Sequence, residues 1–355
     1  MLLSKYSKFS KYHWIKEFLL PLTFVLILSS CDVQNIFTVP TKTPIPVSPP
    51  KQIGANSLHL RELWRRPGAI LDGPQIVIVN NQIILASWED GYKIVVLDAQ
   101  SGDPIWKSEE IRNLGSLYAD KERIYTGAIK DVQAYDLQTG NFLWNGAEQP
   151  AFKRGWLAVY SKGEQLEAYD FVEGQLYVMD AYNGKILGVI QWPAIFFRWK
   201  DINYSRSCGL ETCFLTARNK SENKILWNYE FKERPKVWPI FIDDVMYVGT
   251  SDTIVALDTS TGEVYWETND KYVTNIALGD NLIYSIRDDA TIVGLEYQTG
   301  EIVGTVEMNP SRTYQDDVEL GHNTDYFIAA SDEFVVAYYG NSRELIVFEK
   351  DSKTK

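Results

Sequence analysis

The sequence predicts an all-β fold, a β-propeller of four-stranded antiparallel blades, and three observations carry that expectation. A short phrase returns five times: an apolar residue, an acidic residue, a few small residues, a glycine, then a spaced aromatic or small residue. The copies run Val96–Gly102 with Trp106, Ala134–Gly140 with Trp144, Val178–Gly184 with Gly188, Ala256–Gly262 with Trp266, and Gly294–Gly300 with Gly304. The turn glycines lie 38, 44, 78 and 38 residues apart, so the period is close to forty and the gap of 78 hides one degenerate unit. Each unit is rich in β-branched and aromatic strand-formers, and a fixed period of this length is how propeller blades announce themselves.

Residues 228–266 show how one unit makes a blade. Trp238–Ile242 reads as an inner strand, followed by a turn at Asp243-Asp244. Val245–Thr250 and Thr253–Asp258 are the second and third strands, and Glu263–Trp266 is the outer one. Between the last two, Thr259–Gly262 closes a hairpin in which glycine supplies positive φ and hydroxyls satisfy the turn backbone. Asp258 and its equivalents are expected to cap these turns, and the tryptophans to wedge between neighbouring blades. The degenerate unit shows its outer strand at Lys224–Trp227, with Asn223 in the glycine place; asparagine also tolerates the left-handed conformation.

The two ends of the repeat are complementary. Leu345–Lys353 aligns without gaps onto Ile94–Gly102, and Phe334–Ala337 onto Ile83–Ala86 at the same offset, so the last unit has three strands. Leu60–Trp64 is an outer strand with no blade before it. Joining the two closes the ring and removes the open edge. Outer-strand positions 64, 106, 144, 188, 227, 266 and 304 then give seven blades. Six or eight remain as alternatives, because residues 305–323 form an insertion long enough to hold a strand pair.

The N-terminus reads as an export and anchoring segment. Lys5, Lys8, Lys11 and Lys16 precede an apolar run from Phe18 to Leu28, which is too short to span a bilayer, where about 20 residues are needed. Leu28-Ser29-Ser30-Cys31 resembles the bacterial lipobox, and that resemblance implies cleavage before Cys31 and a diacylglycerol on its thiol. A conventional signal peptide with an incidental cysteine is the alternative. The segment from Asp32 to Ser57 holds Pro40, Pro44, Pro46, Pro49 and Pro50, a density that favours extended chain and suits a tether. The expected organisation is therefore residues 1–30 signal, 31–57 tether and 58–355 propeller. The full chain carries a formal net charge of −12, and removal of the lysine-bearing leader makes it more negative. Such a surface repels phosphate backbones and argues against nucleic acid as partner.

The phrase Ala256–Trp266 resembles the repeat of pyrroloquinoline-quinone-type propellers, over essentially all of 58–355. That family holds quinone-dependent dehydrogenases and non-catalytic relatives, among them the eight-bladed lipoprotein propeller of the outer-membrane assembly machinery. In the enzymes the resemblance implies adjacent cysteines over the quinone and Glu, Asn and Asp ligands to calcium. This chain has no adjacent cysteines. Beyond Cys31 only Cys208 and Cys213 remain, flanking a glycine-containing turn between two strand-like segments, and a structural disulfide is expected. His59 and His322 lack metal-ligand spacing, and no phosphate loop, nucleophile elbow or HExxH motif is present. Asp288-Asp289 and Asp316-Asp317 read as turn residues, with calcium binding as the alternative.

No catalytic, cofactor or metal residue is therefore assigned. The expected function is a membrane-tethered, extracytoplasmic, non-enzymatic scaffold that binds a protein partner in the cell envelope, at the periplasm or cell surface. The alternative is a funnel that serves a quinone-dependent dehydrogenase or binds carbohydrate. Candidate partner-binding residues are Trp192, Phe196, Phe197 and Trp199, in an aromatic stretch where the repeat breaks, expected to lie between the third and fourth blades; the 305–323 insertion is the second such stretch.

Overall fold

The computed structural model describes residues 58–350 except 68, 70, 88–90, 112–113, 129–130, 147–156, 171–173, 192–194, 210–211, 234, 236–238, 311–325 and 341. The expected signal, tether and lipidated Cys31 lie outside the described residues, as do Trp192 and most of the 305–323 insertion.

Seven four-stranded antiparallel sheets follow one another as a seven-bladed β-propeller. The chain opens with β1 (Leu60–Pro67), which belongs to the last blade. Blade 1 is β2 (Leu71–Val79), β3 (Gln82–Ser87), β4 (Lys93–Asp98) and β5 (Pro104–Lys107). Blade 2 is β6 (Leu114–Ala119), β7 (Arg123–Ala128), β8 (Asp131–Asp136) and β9 (Phe142–Asn145). Blade 3 is β10 (Leu157–Lys162), β11 (Gln165–Asp170), β12 (Gln175–Asp180) and β13 (Ile186–Gln191). Blade 4 is β14 (Ile195–Trp199), β15 (Ile202–Cys208), β16 (Cys213–Asn219) and β17 (Ile225–Phe231). Blade 5 is β18 (Ile240–Ile242), β19 (Val245–Gly249), β20 (Ile254–Asp258) and β21 (Val264–Glu267). Blade 6 is β22 (Ala277–Gly279), β23 (Leu282–Ile286), β24 (Thr291–Glu296) and β25 (Ile302–Glu307). Blade 7 is β26 (Phe327–Ala330), β27 (Phe334–Tyr339) and β28 (Glu344–Lys350), with β1 as its outer strand: Leu60 pairs with Lys350 and Trp64 with Val347. The closure expected from the unpaired ends is thus the one formed. One detail differs. Phe334 pairs with Glu349 where Gln82 pairs with Asp98, so β27 stands one residue away from the ungapped alignment, because the connection between β27 and β28 is one residue shorter than that between β3 and β4.

The repeated phrase builds a turn and a socket together. The acidic side chain that opens each turn accepts backbone N–H groups two or three residues on: Ser101 on Asp98 at 2.8 Å, Thr139 on Asp136 at 2.8 Å, Thr261 on Asp258 at 2.7 Å, Thr299 on Glu296 at 2.7 Å. The glycine that ends it is left-handed, with φ of 69° at Gly262 and 78° at Gly102. Onto that glycine lies the indole of the preceding blade's outer strand. Trp64 covers Gly102, Trp106 covers Gly140, Trp144 covers Gly184, Trp227 covers Gly262 and Trp266 covers Gly300, and in each case a Cβ on the glycine would meet ring carbons at under 3.0 Å. Each indole N–H also donates to a carbonyl of the same turn, at Ala99, Leu137, Ala181, Thr259 and Tyr297, over 2.9–3.1 Å. Side chains behind the indoles form apolar clusters that span neighbouring blades.

Trp227→Ala removes both the ring and the donor from a buried site and is expected to cost about 3–5 kcal/mol in denaturant unfolding. Gly262→Ala attacks the same socket from the other side, so the double variant should cost clearly less than the sum of the two singles. Burial opposes ionisation of Asp258, but bonds from the Ser260 and Tyr265 hydroxyls and the Thr261 and Ser260 amides hold its carboxyl below the ordinary range. Because the folded value is the lower one, this contribution to stability is complete above the ordinary carboxylate range and is lost as pH falls through the depressed value. Asp258→Asn should therefore flatten the acid limb of the stability–pH curve.

Candidate partner-binding site

Two of the seven seams lack an indole at the outer-strand position that supplies one in the other five. The register pairs each outer-strand position with one third-strand residue: Val96–Trp106, Ala134–Trp144, Ala217–Trp227, Ala256–Trp266 and Val347–Trp64. In blade 3 the pair is Val178–Gly188 and in blade 6 it is Gly294–Gly304. The next turn changes in step: in blade 4 it runs from Asn219 to Asn223 (φ 56°), and Asn223 stands where a glycine would accept an indole. At the seam between blades 6 and 7, Leu58 fills the space. It is buried, and a Cβ on Gly294 would touch its Cδ1 at 2.8 Å.

The seam between blades 3 and 4 is different in kind. Blade 5 presents Met246, Val248, Val255 and Leu257 to its predecessor, and blade 1 presents Ile83, Leu85, Val95 and Leu97. At the matching register positions blade 4 presents Asn203, Ser205, Thr216 and Arg218. The six apolar clusters span the other six seams and none spans this one, among the described residues. Here Arg198 of β14 forms an ion pair with Glu167 of β11, which is 3% exposed, and the Tyr169 hydroxyl donates to Glu167 at 2.6 Å. Burial and the adjacent Glu167 carboxylate push the Tyr169 phenol far above its ordinary value, which keeps its proton in place as a donor. In blades 2, 4, 5 and 6 the position of Glu167 is a tyrosine, at 125, 204, 247 and 284.

The described aromatic candidates lie away from this seam, at which the sequence had placed them. Phe197 is buried, stacked on Tyr204 with centroids 4.8 Å apart, and faces blade 5. Trp199 is half-buried, stacks on Phe241 at 4.7 Å and donates to the Asp243 carbonyl at 3.1 Å. Both rings thus pack toward blade 5, because alternation along β14 sends Phe197 and Trp199 one way and Arg198 the other. Phe196 lies on β14, and Trp192 lies outside the described residues. Sequence reasoning passed over β13, whose signal was the loss of tryptophan at position 188. Leu187 is 53% exposed and Val189 45%, and a Cβ on Gly188 would meet no atom within 4 Å.

Cys208 and Cys213 are bonded across the β15–β16 hairpin, where Gly209 N–H donates to the Thr212 carbonyl at 2.8 Å. Asp289 serves a turn, accepting the Thr291 N–H at 3.0 Å, while Asp316-Asp317 lie outside the described residues. Among the described residues no cluster of three or more His, Cys, Asp or Glu side chains could hold a metal.

Residues 214–350, from blade 4 to the end of blade 7, match a family model described as outer membrane protein assembly factor BamB, so the quinone-type repeat expected from the sequence is present there. No curated protein matches the sequence. Among solved structures, BamB from Moraxella catarrhalis is similar at 14% identity and a TM-score of 0.47, over 79% of this chain and 83% of that one. The computationally designed Ika8 protein is similar at 16% identity and a TM-score of 0.49, over 79% of this chain and 98% of that one.

The Arg198–Glu167 pair supplies a test of the seam. Glu167→Ala leaves a guanidinium facing a desolvated site and is expected to cost about 3–5 kcal/mol in denaturant unfolding. Glu167→Tyr combined with Arg198→Leu gives the seam the apolar character of its neighbours and should recover most of that loss.

Proposed function

We propose, from the assembly-factor-like repeat of blades 4 to 7, that this chain is a membrane-tethered scaffold of the cell envelope that binds a protein partner and performs no reaction. The match of residues 214–350 to the assembly-factor model carries this reading. The segment before the propeller supports the tether: an apolar run ending at Cys31, then a proline-rich stretch to residue 57. In this reading the diacylglycerol on Cys31 holds the chain to the membrane, the tether gives it reach, and the propeller faces the periplasm or the cell surface. A multi-bladed rim suits a scaffold, since it offers several rigid edges and loops to one partner.

The alternatives make different demands. The quinone enzymes of the wider family use adjacent cysteines, whereas Cys208 and Cys213 are five residues apart and bonded across a hairpin. A carbohydrate-binding propeller would use exposed rings, and Tyr160, Tyr182 and Tyr265 are the exposed tyrosines among the described residues.

Cys31→Ser should move the protein from the membrane to the soluble fraction, and the unsubstituted protein purified in mild detergent should bring down a stoichiometric protein partner. Purification without any such partner, or dye-linked alcohol or sugar oxidation on addition of quinone and calcium, would sink the scaffold reading. Glycan binding lost on replacing the exposed tyrosines would favour carbohydrate instead.

A further inference from the structure

Outer strands are the free edges of a propeller, and proteins blunt such edges with charge, proline or shortness. Six of the seven follow that rule. β1 carries Arg61, Glu62, Arg65 and Arg66, β5 is four residues with Pro104 and Lys107, and β9 is four residues long. β17 carries Glu230 next to its last residue, and β21 ends with Glu267 and β25 with Glu307. β13, Ile-Leu-Gly-Val-Ile-Gln, has six residues, no charge and no proline, and it ends its sheet.

Beside this edge lies a hollow that no described residue covers. Gly188 holds the position from which five other blades send an indole onto the next turn. At the other seam without an indole, Leu58, two residues before β1, lies on Gly294, the register partner of Gly304. The molecule thus shows what such a hollow takes: an apolar side chain. The turn facing Gly188 is also the electrostatic exception. The corresponding turns of blades 1, 2, 3, 5 and 6 open with Asp98, Asp136, Asp180, Asp258 and Glu296, whereas this one opens with Asn219 and carries exposed Lys220 and Lys224 against a single exposed carboxylate, Glu222. Arg218 stands just before it, its guanidinium on the Asn223 carbonyl.

We propose that β13 is the docking edge for an extended strand of the envelope partner, which adds to blade 3, sets an apolar side chain over Gly188 and places carboxylates against Lys220 and Lys224. This rests on the scaffold reading and names the chemistry of its partner. Main-chain hydrogen bonds along the edge supply affinity, while the hollow and the lysines fix register and direction.

The probe is a fluorescein-labelled peptide, Thr-Leu-Thr-Val-Thr-Val-Glu-Glu, titrated into the full-length chain in detergent and followed by anisotropy. Saturable binding is expected. It should weaken at least about tenfold for Val189→Lys and about tenfold for Lys220→Glu with Lys224→Glu, and stay unchanged for Val303→Lys on β25. Amides of β13 should exchange more slowly with peptide bound. The lysine changes lie on an exposed turn and keep the test open if Val189→Lys disturbs folding. No saturable binding, equal loss from Val303→Lys, or protection confined to other strands overturns the proposal. So does sedimentation in which Val189→Lys splits a dimer, since the edge would then serve a second copy. A partner that still co-purifies with the Val189→Lys chain retires this site and leaves the scaffold standing, whereas no partner with the unsubstituted chain retires both.

Discussion

No sheet of the described residues spans two blades, so no strand ladder crosses a seam and side chains must hold the ring. The indole over a left-handed glycine is the contact on which the rest depends. It needs a bulky ring with one donor on the outer strand, a residue with no Cβ in the next turn, and a carbonyl of that turn aimed at the ring nitrogen. Each requirement comes from a different part of the phrase, which is why the phrase is kept as a unit. The acidic residue contributes by fixing the turn that presents both glycine and carbonyl.

Where the contact is missing, the substitutes show what it does. Between blades 6 and 7 an aliphatic side chain from the lead-in to β1 replaces the ring, and the seam stays apolar behind it. Between blades 3 and 4 no such substitute covers Gly188 among the described residues, and a buried ion pair with a tyrosine donor takes the place of an apolar cluster. Burying charge costs desolvation that the pairing only offsets, so this junction is held by directional bonds more than by area. The seam with the least apolar material is also the one whose rim exposes an uncharged edge.

The fold was legible because its signals are local. Turn glycines, capping carboxylates and strand-formers recur within one unit, and the unmatched strands at the two ends differ by a common offset, which placed Leu60–Trp64 in the last blade. The pairing of each tryptophan with the glycine of the following unit was not legible, since the partners stand more than thirty residues apart and meet only once the ring exists. The offset of β27 escaped for a smaller reason: one residue fewer in a connection leaves the apolar run intact while exchanging its two faces. The aromatic stretch at 192–199 was expected between blades 3 and 4, but strand alternation turned Phe197 and Trp199 toward blade 5 and left Arg198 to face blade 3. Composition alone does not carry that parity.

The placement of β1 also sets an order of events. Arg61 and Glu349 are ion-paired 288 residues apart, so the first strand made is the last that can be seated. Until β28 exists, Leu60–Pro67 has no partner of its own, and blade 7 cannot offer its turn or its faces to blades 6 and 1. Blades built from neighbouring strands can form early at small entropic cost, whereas this one pays the loop closure of nearly the whole chain. Ring closure therefore acts as a checkpoint of length: a chain broken off before Glu344 leaves β1 without the strand it pairs with, which marks it as incomplete.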